Sequence, residues 1–197
     1  MYRIENLQLI NKLHVSLTIE PGKIIFIEGK NGVGKSLLLK SISKLIPSLN
    51  NPPLLGQNLQ EHRSLALYLP PQVSFTSEMT VEDFFYEPLT LAIYKNFSPD
   101  PKYKHFVNDL LTQKMSLLSS GQRQLIAILR ALGLKAKILL LDEPFSHIDQ
   151  NKRKWLMQEL LNWMGQDRSI VMVTHDKPEL HASNVSFLEL NPPQVVQ

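Results

Sequence analysis

The run Gly29-Lys30-Asn31-Gly32-Val33-Gly34-Lys35-Ser36 limits what this chain can fold into more than any other feature. It fits the spacing G-x-x-x-x-G-K-[S/T]. It also lies between a buried-type strand, Ile24-Ile25-Phe26-Ile27, and a segment in which Leu37, Leu38, Ile42, Leu45 and Ile46 recur at helical spacing up to Pro47. Glycines let the backbone curl so that successive N–H groups face phosphate oxygens, and the helix that follows presents its positive end to the same anion. Gly29, Asn31, Gly32 and Gly34 would form that cradle. Lys35 would reach the β- and γ-phosphates, and the Ser36 hydroxyl would meet Mg²⁺. The loop implies a nucleotide and leaves the reaction open.

A phosphate loop needs an acidic partner. Ile138-Leu139-Leu140-Leu141-Asp142-Glu143 is an apolar strand ending in two carboxylates. Asp142 can hold the Mg²⁺ shell, while Glu143, one residue on, can orient an attacking water or accept its proton. A second strand, Ile170 to Thr174, ends at His175-Asp176, again at the carboxyl edge where ligands of α/β sheets gather.

Around these points the chain alternates strand and helix. Tyr2 to Leu9 and Leu13 to Ile19 read as a β-hairpin about Asn11-Lys12. Pro52-Pro53 and Gly56 mark a surface excursion, and Leu65 to Leu69 is a short strand before Pro70-Pro71. From there to Ile138 the pattern is helical, with Phe84, Phe85, Leu91 and Tyr94, a helix from Pro101 to Gln113 and another from Gly121 to about Leu132. Helix Lys152 to Met164 and strand Val185 to Leu190 complete the order, and Asn191 to Gln197 reads as a tail. This predicts an α/β phosphate-loop NTPase fold: a mostly parallel central sheet, an N-terminal antiparallel hairpin region and an inserted α-helical subdomain. The nucleotide-binding core would comprise residues 1–72 and 134–190 and the helical subdomain 73–133, within one domain spanning 1–197.

Composition narrows the function classes. With 43% hydrophobic residues in 197 the chain can bury a full core, and its apolar runs are strand-sized rather than membrane-sized. The start, Met1 to Asn6, carries Glu5 where an export signal needs an apolar core, so a cytoplasmic location is expected. The absence of cysteine removes disulfides and thiolate chemistry, and a net charge of +3 on scattered basic residues gives no reason to expect a nucleic-acid partner.

Leu118-Ser119-Ser120-Gly121-Gln122, just before a helix, resembles the signature motif of ATP-binding cassette (ABC) ATPases. With it, the order of elements over roughly residues 2 to 190 looks like a complete cassette: phosphate loop, a Q-loop at Gln72, signature, acidic strand, a D-loop at Ser146-His147-Ile148-Asp149 and a switch histidine at His175. The resemblance implies two cassettes packed head to tail, as a homodimer or pseudo-symmetric pair, with ATP held by one phosphate loop and covered by the other chain's Ser119, Ser120, Gly121 and Gln122. It implies that Gln72 touches Mg²⁺ and the attacking water, that His175 contacts the γ-phosphate and that Asp149 helps link the two sites. Two departures stand out. Ser120 replaces the commonest glycine, and the hairpin offers Leu9, Ile10 and Leu13 where the family stacks adenine on an aromatic residue, Tyr2 lying too early in the chain.

The same resemblance implies polytopic transmembrane subunits as partners, with the chain peripheral on the cytoplasmic face of the inner membrane or the equivalent organellar face. Phe75 and Met79, after Gln72, are the candidates to face a coupling helix. Length and the run Asp142-Glu143-Pro144-Phe145 suggest the ATP-binding subunit of the cytochrome c maturation system, a haem exporter. The alternative is a soluble ABC ATPase acting in assembly or nucleic-acid maintenance.

Overall fold

The computed structural model describes residues 1–10, 13–48, 50, 55, 58–86, 103, 106–175 and 184–191. The Asn11-Lys12 turn, the Pro52-Pro53 and Gly56 breaks, Leu91, Tyr94, Asp176 and the tail from residue 192 lie outside the described residues.

Strands β1 (Tyr2–Gln8) and β2 (His14–Ile19) pair antiparallel, Tyr2 opposite Ile19, with a bulge between Ile4 and Leu7 where Asn6 takes φ 49°. β3 (Ile24–Glu28), β4 (Ala66–Leu69), β5 (Ile138–Asp142), β6 (Ser169–Val173) and β7 (Val185–Glu189) form a five-stranded sheet in the order β4-β5-β6-β3-β7, every pair parallel. The helices are α1 (Lys35–Ile42), α2 (Leu59–Leu65), α3 (Val81–Tyr86), α4 (Ser120–Leu132) and α5 (Gln150–Met164). Alternation along each strand divides the core in two. Ile24, Phe26, Leu139, Leu141, Ile170 and Met172 pack against α4, α5 and the α3 residues Phe84 and Phe85. Ile25, Ile27, Ile138, Leu140, Val171 and Val173 pack against α1 and the hairpin. A sheet covered on both faces explains why β3, β5 and β6 are continuous apolar runs, each fully buried Leu or Ile contributing about 1.5–3 kcal/mol.

Two local expectations are corrected. α1 stops at Ile42 rather than reaching Pro47, because Lys44 takes φ 59° and the chain closes a helix-ending turn: Lys44 N–H donates to Ser41 O at 3.1 Å and Leu45 N–H to Lys40 O at 3.0 Å. Leu45 is consequently 51% exposed instead of continuing the apolar stripe. The helix expected to reach Gln113 gives way to 3₁₀ turns at Asn108–Leu110 and Met115–Leu117, since Val81 N–H bonds the Gln113 carbonyl and Thr80 bridges Lys114. Helix α2, capped by the Asn58 side chain on Glu61 N–H, was hidden by its short and polar sequence.

Between β4 and β5 the described residues hold α3, both 3₁₀ turns and α4. β3, β5 and β6 lie side by side and parallel, so the loops leaving their carboxyl ends meet at one edge.

Candidate functional site

At the end of β3, Gly29, Gly32 and Gly34 take φ values of 140°, 79° and 120°. A Cβ on Gly29 would stand 2.6 Å from the Leu190 carbonyl oxygen, so this glycine is required both by its φ and by the close approach of the end of β7. Gly34 caps α1 without a side chain, which leaves the first amides of the helix turned toward the loop. Lys35 Nζ donates to the carbonyls of Gly29 at 2.7 Å and Lys30 at 3.2 Å, folding the ammonium back over its own loop. Asn31, Gly32 and Ser36 are exposed.

At the end of β5, Asp142 is 1% exposed. Tyr68 on β4, which sequence reasoning missed, donates its O–H to Asp142 Oδ2 at 3.0 Å, while Oδ1 is buried with no hydrogen-bond partner. Burial, together with the Asp142 charge, holds the Tyr68 phenol well above the ordinary tyrosine range. An unsatisfied buried carboxylate oxygen is costly unless something binds it, so Asp142 and the Ser36 hydroxyl at the start of α1 fit as protein donors to Mg²⁺, a hard cation that takes few protein ligands beside phosphate.

Glu143 leaves the strand with φ 48°, a left-handed turn costing about 1–2 kcal/mol in a residue with a Cβ. That turn breaks the strand alternation, and Glu143 N–H still bonds the Val173 carbonyl at 2.9 Å. Glu143 Oε1 lies 3.3 Å from His175 Nε2 just past β6, the pair that the sequence placed at two separate strand ends. Burial raises the Glu143 carboxyl above its ordinary 4.5, against the lowering pull of His175 and Lys35, and the neighbouring Asp142 charge also raises it.

Ser119 caps α4. Its hydroxyl accepts from Gln122 N–H at 3.2 Å, and Gln122 Oε1 accepts from Ser119 N–H at 2.9 Å. Gly121 packs on the carbonyl of His147, and Ser120 is exposed. Asp149 caps α5 by accepting from Lys152 N–H at 3.0 Å, and these contacts hold its carboxyl below the usual range. Gln72 is exposed beyond β4, whose end is tied to α4 by Gln124 Nε2 donating to Pro70 O at 3.3 Å. Phe75 and Met79 are half-buried, the Arg123 guanidinium lying 5.3 Å from the Phe75 ring centre. Leu9 and Leu13 are buried and Tyr2 is 5% exposed, burial pushing its phenol to about 12; of the expected hairpin residues only Ile10, 57% exposed, faces solvent.

The pattern that defines the ABC transporter family matches residues 13–146. The chain belongs to the ABC transporter family. Its cassette is 34% identical to a manganese transport system ATP-binding protein of Listeria monocytogenes over 190 residues, 90% of this chain and 79% of that one. It is 29% identical to a Salmonella choleraesuis protein named for ATP binding in 2-aminoethylphosphonate import, matching 84% of this chain and 48% of that longer relative. In fold it superposes with TM-score 0.71 on a dimeric ATP-binding cassette in a post-hydrolysis state with ADP and Pi, at 21% identity, over 89% of this chain and 88% of that one. The sheet, hairpin and phosphate loop are thus those of an ABC ATPase, and its reaction is ATP hydrolysis coupled to transport. Among the described residues no helix is long and apolar enough to cross a membrane.

Proposed function

We propose that this cassette binds ATP as a head-to-tail dimer, hydrolyses it between the two chains, and drives separate polytopic membrane subunits from their cytoplasmic face. The observation that carries this reading is the meeting, at one sheet edge, of the phosphate loop, the free oxygen of Asp142 and the Glu143–His175 pair at 3.3 Å. Residues 1–72 and 134–190 act as the nucleotide-binding core and 73–133 as the helical subdomain.

Lys35 exchanges its loop carbonyls for the β- and γ-phosphates, and the loop amides and the start of α1 hold the remaining oxygens. Ser36, Asp142 and Gln72 would hold Mg²⁺, which when bound would offset phosphate charge. Glu143 orients water and takes its proton, a role suited to a carboxylate whose affinity for protons burial has raised. His175 steadies Glu143 and the γ-phosphate. Ser119, Ser120, Gly121 and Gln122 present a preformed helix N-terminus to the partner's ATP, and Asp149, fixed at the start of α5, lies in the loop that joins the two sites.

Cargo selection belongs to the membrane subunits, since relatives at 34% and 29% identity carry names for manganese and for 2-aminoethylphosphonate. Those names lend no support to the haem-export assignment or to a role in cytochrome c maturation, nor do they favour a soluble assembly or nucleic-acid ATPase. Affinity capture of the tagged chain from detergent-solubilised native membranes tests the proposal. A stoichiometric polytopic membrane protein is expected, and recovery of ribosomes or nucleic acid without one would overturn it.

A further inference from the structure

Along β4 the residues alternate: Leu67 and Leu69 face the helical layer, while Ala66 and Tyr68 face α1 and the hairpin. Tyr68 pairs with Leu140 on the parallel neighbour β5, and Asp142 is the next residue on that same face. From this diagonal position the phenol reaches one carboxylate oxygen and leaves the other. Lys40, on α1 one turn beyond Ser36, sets its ammonium 6.0 Å from the Tyr68 ring centre and so bounds the ring from the helix side.

The geometry divides the work of the two Asp142 oxygens. A carboxylate accepts and the tyrosine O–H must donate, so Oδ2 is committed to Tyr68 at 3.0 Å, whereas Oδ1 is buried and unpartnered. The terminal torsion of an aspartate is broad, and without a second anchor the carboxylate can turn both oxygens through the site. We infer that Tyr68 is a positioning residue that clamps Asp142 by one oxygen so that the other is held ready for the cation accompanying the nucleotide. The inference rests on Asp142 being the metal-binding carboxylate. Groups that orient a metal ligand typically control about 10–100-fold in metal affinity.

Mn²⁺ binding to the full chain, followed by electron paramagnetic resonance with a non-hydrolysable ATP analogue present, tests this in wild type, Tyr68→Phe and Asp142→Asn. Tyr68→Phe deletes one oxygen and keeps the ring beneath Lys40, so its melting temperature without nucleotide should stay close to wild type. Its Mn²⁺ dissociation constant should rise about tenfold, with a matching rise in the Mg²⁺ concentration for half-maximal ATPase activity. Metal-free nucleotide affinity should not move. If Tyr68→Phe binds Mn²⁺ like wild type while Asp142→Asn loses it, the clamp is wrong and the metal role of Asp142 stands. If Asp142→Asn also binds like wild type, the metal role itself fails and the clamp with it. An equal loss of metal-free nucleotide affinity in Tyr68→Phe would reduce the tyrosine to a packing role and overturn the inference.

Discussion

Gly121, in the first turn of α4, lies so close to the backbone of the 146–148 loop that a Cβ at this position would stand 2.2 Å from the carbonyl oxygen of His147. The signature helix and the loop after Glu143 are therefore one packed unit within a single chain. The same loop is tied to Glu143, whose carbonyl accepts from the Ser146 hydroxyl at 3.1 Å.

Gly121→Ala should accordingly act without any partner chain. The intruding methyl must displace backbone, which costs about 1–3 kcal/mol. The urea midpoint of the nucleotide-free monomer should fall, and because the displaced loop carries Ser146, ATP turnover should fall with it. An unchanged midpoint with lost activity would instead confine Gly121 to contact with the partner's ATP.

Glu143→Gln should retain ATP binding and lower kcat by about 10²–10⁴-fold, the usual span of general-base contributions. An ATP-bound dimer should accumulate, seen as a mass doubling by light scattering after size exclusion with ATP and Mg²⁺. Lys35→Ala is the contrasting variant, losing nucleotide affinity itself in calorimetry. The carboxyl of Glu143 is raised above 4.5, so as pH falls the wild-type rate should decline sooner than an ordinary carboxylate would make it. Wild-type turnover by Glu143→Gln would remove the residue from the chemistry.

His62 on α2 is fully buried, its Nε2 2.7 Å from Ile42 O and its Nδ1 accepting Leu55 N–H at 2.9 Å. Both ring nitrogens are satisfied only in the neutral form, and burial lowers its pKa below 6.5. The unfolded chain then binds the proton first, so the contribution of neutral His62 is complete above pH 6.5 and is lost progressively as pH falls toward the folded-state value. Urea midpoints between pH 5 and 8 should show this slope, flattened in His62→Gln. A slope of the same size in that variant would assign the pH dependence elsewhere.

Much of the site was readable because its signals are local. The Gly29 to Ser36 spacing, the apolar run into Asp142 and Glu143, and the Leu118 to Gln122 run before a helix each depend on neighbours a few residues apart. The end of α1 misled because Lys44 adopts a left-handed turn usually taken by glycine, and nothing in its side chain announces that. Tyr68 was missed for a different reason: one tyrosine in an apolar strand reads as packing, and its partner Asp142 lies 74 residues away.

The amino-acid sequence by itself determined the parallel α/β class and most of the element order, α2 excepted, and it marked residues 29–36 and 142–143 as candidates for the site, since periodicity and turn chemistry act over one or two turns of chain. Tertiary structure alone decided the strand order β4-β5-β6-β3-β7, the approach of His175 to Glu143, the grip of Tyr68 on Asp142 and the fit of Gly121 under His147. These relationships join residues that are remote along the chain. They exist only once a sheet buried on both faces has set its strands side by side and brought their carboxyl ends to one edge.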